Sequence, residues 1–457
     1  MSKAKRKKQF HLISLGCSKN TVDSEGMAAL LGKAGYRGVG AAAEASVLMV
    51  NTCGFIESAR QESIDALREL VANKHSDQLV IAAGCMAQRY GAEVVEWVPG
   101  IDGVIGTRRW MDIVPFINKL RRNKQPEPLY HLPDSAETVG TDERGVLRAA
   151  VQGASAYLKI ADGCRRPCAF CAIPEIKGTL VSRPHAAIVR EALQLQAAGV
   201  KELIIIAQDT TDYGHDLGVK NGLAKLLNAI CDAAPDIPWI RLMYAYPGYV
   251  TDELIETMAT RQQILPYLDI PLQHGSRETL KRMRRPANID WVYNTVGKLR
   301  AAIPDLAIRT TFIVGYPGET AAEFDELKQF VTDLRFDRVG TFTYSYEPST
   351  PSATVAPLVA AEVMDARRDA LMALQQPISL AKNQALVGKT LPVLVEGHGD
   401  GVSIGRTYRD APEIDGLVFV AGDLPLGEIV PVRIDGAMAY DLTGTVEIQS
   451  PTAITIM

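Results

Sequence analysis

Three cysteines within eight residues constrain this chain more than any other feature of its sequence. The segment Cys164-Arg-Arg-Pro-Cys168-Ala-Phe-Cys171 follows a strand predicted at Tyr157–Ile160. Three soft thiolates at this spacing can wrap one face of a metal centre. A structural zinc site normally takes four protein ligands, and no second pair follows here. A four-iron, four-sulfur cluster held by three thiolates keeps one iron open to another ligand. The spacing favours such a cluster, with zinc as the alternative.

Three further cysteines occupy equivalent places earlier in the chain. Cys17, Cys53 and Cys85 each lie at the carboxyl end of a predicted strand. Because the carboxyl ends of parallel strands line one crevice, we expect these thiols to converge on a second three-thiolate cluster. The alternative is three buried cysteines that act as small apolar residues. Cys231 lies inside a predicted helix without partners, and we expect it only to pack.

The order of predicted elements indicates an α/β protein with three domains, as 457 residues suggest. Strands alternate with helices in an N-terminal parallel α/β domain (1–124) and in a central partial barrel of six strand–helix repeats (146–380), whereas a small all-β barrel (384–450) follows. The polar stretch Asn123–Gly145 is predicted to be a linker. The predicted strands are Phe10–Gly16, Val47–Asn51, Leu79–Gly84 and Gly103–Gly106, then Tyr157–Ile160, Leu203–Ala207, Ile240–Tyr246, Tyr267–Pro271, Ile308–Val314 and Val339–Tyr346, and finally Leu391–Val395, Leu417–Val420 and Ile429–Ile434.

Charge and hydropathy narrow the class of protein. The 49 Lys and Arg against 53 Asp and Glu give a net charge of -4, so no overall basic excess indicates nucleic-acid binding. The basic start at Met1–Lys8 is not followed by a signal-like apolar segment, and no uncharged apolar run is long enough to span a membrane. We therefore expect a cytoplasmic enzyme without a membrane partner, whose cysteines are ligands or reduced thiols.

The central cysteine segment resembles the radical S-adenosylmethionine superfamily. That resemblance implies that S-adenosylmethionine binds the open iron and is cleaved reductively to a radical that abstracts hydrogen, with electrons from an external donor. Gly315-Tyr-Pro-Gly318-Glu319-Thr320 follows a predicted strand and opens a helix, as expected of a backbone-lined cofactor turn. Gly315, Gly318 and Glu319 are therefore predicted to bind S-adenosylmethionine.

The two cysteine sets together resemble the methylthiotransferase family. The matching stretches run through nearly the whole chain: Leu15–Glu25, Asn51–Ile56, Gly84–Gln88, Asp162–Cys164, Ser182–Pro184, Leu268–His274 and Gly315–Thr320. The resemblance implies two 4Fe-4S clusters, in which Cys164, Cys168 and Cys171 hold the radical cluster. Cys17, Cys53 and Cys85 would hold an auxiliary cluster that carries or donates the inserted sulfur. It gives no other catalytic residue.

The C-terminal barrel, which resembles a TRAM domain, bears on the choice of substrate. Family members modify either an adenosine in transfer RNA (MiaB-like) or, in the RimO branch, the beta carbon of an aspartate in small ribosomal subunit protein twelve. From Leu386 onward ten acidic residues stand against four basic ones, a balance unsuited to RNA phosphates and suited to a basic ribosomal protein. Ala411-Pro-Glu-Ile-Asp-Gly416 also resembles the RimO form. We therefore expect replacement of C-H by C-S-CH3 on that protein, free or in the ribosomal subunit, with transfer RNA as the alternative.

Overall fold

The computed structural model of the protein describes residues 8–123, 127–133 and 144–446. Its first part is a parallel six-stranded sheet in the order β2-β1-β3-β4-β5-β6. Strand β3 is buried at all six positions, as expected for a parallel sheet covered by helices on both faces. The strands are β1 Gln9–Ser14, β2 Arg37–Gly38, β3 Val47–Thr52, β4 Leu79–Gly84, β5 Gly103–Gly106 and β6 Leu129–His131, and the helices are Ser18–Lys33, Glu57–Asn73, Cys85–Tyr90, Glu93–Trp97 and Ile113–Arg122.

The stretch Asn123–Gly145, predicted to be a linker, contains strand β6. Leu129, Tyr130 and His131 of that strand pair in parallel with β5, so the sheet extends past residue 124. The strand has no buried residue, and a half-exposed edge strand of three residues carries little apolar pattern from which it could be predicted. Residues 124–126 and 134–143 of the stretch lie outside the described part of the chain.

The central part is an open seven-stranded sheet in the order β15-β14-β13-β12-β11-β8-β7. Six of its strands are parallel and confirm the predicted partial barrel. The seventh, β7, pairs antiparallel with β8 at the edge and was not predicted. The strands are β7 Ala149–Gln152, β8 Ser155–Lys159, β11 Glu202–Ile206, β12 Trp239–Leu242, β13 Ile264–Asp269, β14 Ala307–Val314 and β15 Arg338–Thr343, with β9 Ala161–Asp162 and β10 Val181–Ser182 as a separate pair.

Helices connect these strands and cover the sheet. They are Ile173–Lys177, His185–Ala197, Gly222–Ala233, Asp252–Thr260, Arg277–Arg282, Ile289–Ala302 and Ala321–Leu334. The observed strand β12 ends at Leu242, four residues before the predicted end. Tyr244 explains the difference, because its φ of 61° is left-handed and cannot continue a strand.

A closed five-stranded barrel follows a long helix, Ala361–Gln384, and confirms the predicted C-terminal barrel. Two of its strands, β17 and β20, were not predicted. The order is β16-β17-β18-β20-β19, formed by β16 Thr390–Gly399, β17 Val402–Thr407, β18 Val418–Ala421, β19 Ile429–Ala437 and β20 Leu442–Thr445. Residues 447–450 lie outside the described chain. Within that chain, no helix combines the length and apolarity needed to cross a membrane.

Buried ion pairs fix the N-terminal sheet against the central sheet. Asp23, on the first helix, accepts hydrogen bonds from Lys159 and from Lys177, the latter at 2.9 Å. Asp162 lies 2.8 Å from the Lys159 ammonium and 2.6 Å from the Arg148 guanidinium. Because breaking a buried, hydrogen-bonded pair leaves a charge uncompensated, this network opposes separation of the two domains at the observed contact.

Candidate active site

The first three cysteines follow three neighbouring strands. Cys17 precedes the helix Ser18–Lys33 that follows β1, Cys53 comes directly after β3, and Cys85 begins the helix after β4. Strands β1, β3 and β4 are adjacent and parallel, so their carboxyl ends meet at one edge of the sheet. The predicted convergence of these three residues is therefore observed.

Gly16 allows the Cys17 loop to approach the Cys53 loop closely. A Cβ atom at residue 16 would lie 2.8 Å from the Cβ and 2.9 Å from the Sγ of Cys53. Its φ of 89° is also a conformation that glycine adopts without strain. A glycine before Cys17 is therefore required both by the close approach of the two loops and by the backbone conformation of the turn.

The second set of cysteines lies on a loop after β9 that is tied to its surroundings by backbone hydrogen bonds. The amide of Cys164 donates to Gly178 O at 3.1 Å, and the amide of Cys171 donates to Cys168 O at 3.1 Å. The amide of Ala169 donates to Met283 O at 2.9 Å. These bonds hold the three thiols of one short loop on the same side.

All six cysteines line one cavity of about 430 Å³ between the two sheets. Apolar side chains, among them Phe55, Ile56 and Phe170, form much of its wall. The cavity also contains four cationic side chains and two amides: Lys19, Arg166, Lys177, Arg285, Gln208 and Gln273. One cavity, open to solvent on one side, therefore contains both sets of possible ligands.

Burial keeps several of these thiols protonated in the absence of a positive partner. Removal from water raises the pKa of Cys85 and of Cys171 to about 12, and that of Cys164 to about 11. At Cys85 the Lys177 ammonium opposes this effect without overcoming it. Thiolates in this cavity therefore need nearby cations or iron to offset their charge.

The cavity residues fit an iron–sulfur cluster and a cofactor that carries hydrogen-bond donors. In the described part of the chain, no three His, Cys, Asp or Glu side chains are placed to hold a single metal ion. A cluster does not require that geometry, because each thiolate binds a different iron atom. The Oε1 atoms of Gln208 and Gln273 are buried without a hydrogen-bond partner among the described residues. Both atoms can accept a hydrogen bond from a bound cofactor.

Sequence reasoning assigned no role to several residues of this cavity. Tyr244 and Gln273 have φ values of 61° and 73°, which are strained for residues other than glycine and often mark functional sites. Lys19 lies two residues after Cys17, within the matching stretch Leu15–Glu25. Its Nζ lies over the face of the Tyr244 ring. The signal for Lys19 was its place in the motif, whereas the strained backbone of Tyr244 has no sequence signature.

The Gly315–Glu319 turn does not line this cavity. A Cβ atom at Gly315 would meet the Met364 side chain, and Gly318 lies beside Arg282. The Glu319 carboxylate accepts a hydrogen bond from the Tyr316 amide at 3.1 Å and pairs with Arg367 at 2.9 Å. These contacts hold the turn and connect it to the long helix, and a role in binding S-adenosylmethionine stays a prediction.

Three family models match the chain: Uncharacterized protein family UPF0004 over residues 9–106, the Radical SAM superfamily over 158–331 and the TRAM domain over 387–446. In fold, the chain resembles the radical S-adenosylmethionine methyltransferase TsrM from Kitasatospora setae, solved with cobalamin and a [4Fe-4S] cluster. The TM-score is 0.55 at 14% identity, covering 87% of this chain and 80% of that one.

Two full-length relatives have the same name. Ribosomal protein uS12 methylthiotransferase RimO of Chloroflexus aurantiacus is 49% identical over 451 residues, covering 95% of this chain and 99% of that protein. The RimO protein of Roseiflexus sp. is 46% identical over 456 residues, covering 95% and 96%. The chain therefore belongs to the RimO family of radical S-adenosylmethionine methylthiotransferases.

Proposed function

We propose that this protein replaces C-H by C-S-CH3 at the beta carbon of an aspartate in ribosomal protein uS12. The observation that carries the proposal is the single cavity lined by two sets of three cysteines. Such a replacement requires a hydrogen abstractor and a sulfur source at one carbon, and each cysteine set would hold one of them. The names of the relatives support uS12 as the substrate.

We propose that Cys164, Cys168 and Cys171 hold a radical 4Fe-4S cluster and that Cys17, Cys53 and Cys85 hold an auxiliary one. When bound, the two clusters and S-adenosylmethionine supply the hydrogen abstraction and the methylthio group, with electrons from an external donor. The protein's own contribution is positioning: loop hydrogen bonds hold one cysteine set, strand ends hold the other, and apolar side chains form much of the wall between them.

The division into domains is part of the same proposal. Residues 1–124 would carry the auxiliary cluster, residues 146–380 the radical cluster, and residues 384–450 the substrate contact. The buried network around Asp23 and Lys177 supports this division, because it joins the two cluster-bearing parts directly beside the cavity. Gly315, Gly318 and Glu319, on the turn that precedes the helix Ala321–Leu334, would contribute to binding S-adenosylmethionine.

The surface of the C-terminal barrel supports a basic protein partner. Two of its four cationic residues, Arg406 and Arg409, are buried against the central sheet, where they pair with Glu202 and Asp337. Acidic residues remain exposed, among them Asp400, Glu413, Asp423 and Asp435. Asp410 is buried as well, where it pairs with Arg338. The accessible face of the barrel therefore remains acidic, which favours a basic partner and disfavours RNA.

The barrel also reaches the active-site region. Ala411, Pro412 and Glu413 line a second cavity of about 200 Å³, which shares Cys17 and Tyr244 with the first. A substrate loop held by the acidic barrel would therefore lie beside the auxiliary cysteines. This placement supports a role of the barrel in substrate binding.

The proposal is tested with reconstituted enzyme, S-adenosylmethionine and a reductant under anaerobic conditions. Ribosomal subunits and transfer RNA from cells that lack the enzyme are both offered, and mass spectrometry follows each. We expect a methylthio increment on one aspartate of uS12. An increment on transfer RNA alone would contradict the proposed substrate.

The division of labour between the cysteine sets has its own test. A variant with alanine at Cys17, Cys53 and Cys85 should lose sulfur insertion and retain cleavage of S-adenosylmethionine. Cys231→Ala is the matched control, because this seventh cysteine is buried in the central apolar core away from the cavity. Loss of cleavage in the triple variant would contradict the assignment of separate roles.

A further inference from the structure

Lys19 is a largely buried residue that lines the active-site cavity, and its ammonium has no carboxylate partner in the part of the chain that the structure describes. Its residue is only 9% exposed. Among the described residues, its Nζ has one contact of a polar or electrostatic kind, the Tyr244 ring, whose centroid lies 3.0 Å away. The side chain is therefore largely buried, while its ammonium has a cation–π contact and no anion among the described residues, so its charge is available to an anionic ligand.

The other three cations of the cavity are engaged. Arg166 pairs with Asp209 at 2.6 Å, and Lys177 pairs with Asp23 at 2.9 Å. Arg285 donates to the Sγ atom of Cys168 at 3.5 Å and to a backbone carbonyl. Within the described chain, Lys19 is therefore the one cation of this cavity that contacts neither a carboxylate nor a cysteine sulfur.

Tyr244, whose ring lies under the Lys19 ammonium, has a strained backbone conformation. Tyr244 has a φ of 61°, and both of its backbone polar groups are bonded. Its amide donates to Asp269 Oδ2 at 3.1 Å, and its carbonyl accepts from the Thr210 amide at 3.1 Å. Backbone strain persists only where surrounding contacts enforce it. These two hydrogen bonds therefore fix the backbone of Tyr244, from which the ring extends beneath the ammonium.

We propose that Lys19 binds the carboxylate of the substrate aspartate, an inference that rests on the proposed function. That carboxylate is bonded to the beta carbon, so an ion pair with Lys19 would also position the reacting C-H bond. Lys19 lines the same cavity as Cys17, Cys53 and Cys85, so the carbon would lie in the space shared with the proposed sulfur-donating set. A charge-assisted hydrogen bond between an ammonium and a carboxylate is shorter and stronger than one between neutral groups.

An ion pair between Lys19 and a carboxylate would also distinguish the two kinds of substrate that the family modifies. An adenine base has no carboxylate, whereas the aspartate side chain meets the charge of Lys19. S-adenosylmethionine also carries a carboxylate, so the experiment has to distinguish this cofactor from the substrate. It does so by measuring the affinity for each separately.

The test compares the reconstituted wild type with Lys19→Met, Lys19→Arg and Lys119→Met. Lys119 is an exposed lysine on the helix Ile113–Arg122 and serves as the matched control. Anaerobic binding is titrated with uS12 and with uS12 that has asparagine in place of the modified aspartate. We expect the wild type and Lys119→Met to prefer the aspartate form by about tenfold or more, as hydrogen bonds to charged groups allow. Lys19→Met should bind both forms alike, and Lys19→Arg should retain most of the preference.

Two further measurements make the outcome decisive. Iron and sulfide contents equal to those of the wild type show that Lys19→Met still folds and holds its clusters. A preference for aspartate that persists in Lys19→Met overturns the proposal, as does a selective loss of affinity for S-adenosylmethionine. Failure of the proposed function looks different, because the wild type itself would then leave uS12 unmodified.

Discussion

Gly16 determines how closely the loops that carry Cys17 and Cys53 can approach. An alanine there would place a methyl group 2.9 Å from the Cys53 sulfur and force the backbone from its φ of 89°. Because both effects displace a proposed ligand, we expect Gly16→Ala to reduce iron content toward that of a single cluster. Iron and sulfide analysis of the reconstituted variant measures the loss.

Gly199→Ala is the control for backbone strain in this comparison. Gly199 has a similar φ of 84°, yet a Cβ atom there would meet nothing within 4 Å. It should retain the full iron content while losing some stability. Full iron content in Gly16→Ala as well would show that the close approach to Cys53 is not needed for cluster binding.

Individual residues of the site differ in how far the sequence predicts them. Each set of three thiols could be predicted to converge, because the spacing within one set and the positions after strands of the other are local properties. The role of Lys19 depends on Tyr244, which is 225 residues away in the chain and reaches the cavity from a different sheet. Contacts of this kind arise from tertiary packing, and no periodicity of the sequence encodes them.

Among the elements, the buried parallel strands were the best predicted. Strands β3, β4 and β11 are continuous apolar runs because both of their faces are covered. Short strands with exposed positions, such as β6 and β7, lack that pattern and were missed. The sequence therefore predicted the cores of both sheets better than their edges.

The helix Ala321–Leu334 begins with a reciprocal cap that can be tested separately from the cavity. The Thr320 hydroxyl accepts from the Glu323 amide at 3.2 Å, and the Glu323 carboxylate accepts from the Thr320 amide at 2.8 Å. Removing such a cap costs about 1 kcal/mol, so Thr320→Ala should speed amide exchange in the first turn about fivefold. Hydrogen–deuterium exchange measured on a peptide that covers this turn checks the change.

Thr332→Ala provides the comparison within the same helix. The Thr332 hydroxyl is exposed and donates to the Lys328 carbonyl one turn earlier. Its loss should leave exchange in the first turn unchanged. Equal exchange in the two variants would mean that packing, and not the cap, determines where this helix begins.

At the scale of the whole molecule, buried charges orient the three parts on one another. Glu202, at the start of β11, pairs with Arg241 of the central sheet and with Arg406 of the C-terminal barrel, each at 2.7 Å. All three side chains are at most 1% exposed. The sequence could not reveal this contact, because Glu202 and Arg241 lie in short apolar strands and Arg406, the second partner of Glu202, is 204 residues away from it in the chain.

Glu202→Gln should weaken the docking of the C-terminal barrel. The substitution leaves two buried guanidinium groups with one negative partner fewer, and breaking such a pair costs about 3 kcal/mol. Urea unfolding near neutral pH should show a lower midpoint, and limited proteolysis should release the barrel more readily. Glu428→Gln is the matched control across the same interface, because its exposed pair with Lys201 contributes less than about 1 kcal/mol.

The stability difference between the wild type and Glu202→Gln should depend on pH in a defined direction. Burial disfavours the ionised carboxylate, yet Arg241 and Arg406 outweigh it and lower the pKa of Glu202 to about 2 from an ordinary value of 4.5. A group with a depressed pKa stabilises the folded state fully above its unfolded-state pKa and loses that effect as pH falls toward its folded-state pKa. The difference in urea midpoint should therefore be constant above about pH 5 and shrink between about pH 4.5 and 2. A difference that stays constant throughout that acidic range would mean that the ionised form of Glu202 does not hold the barrel in place.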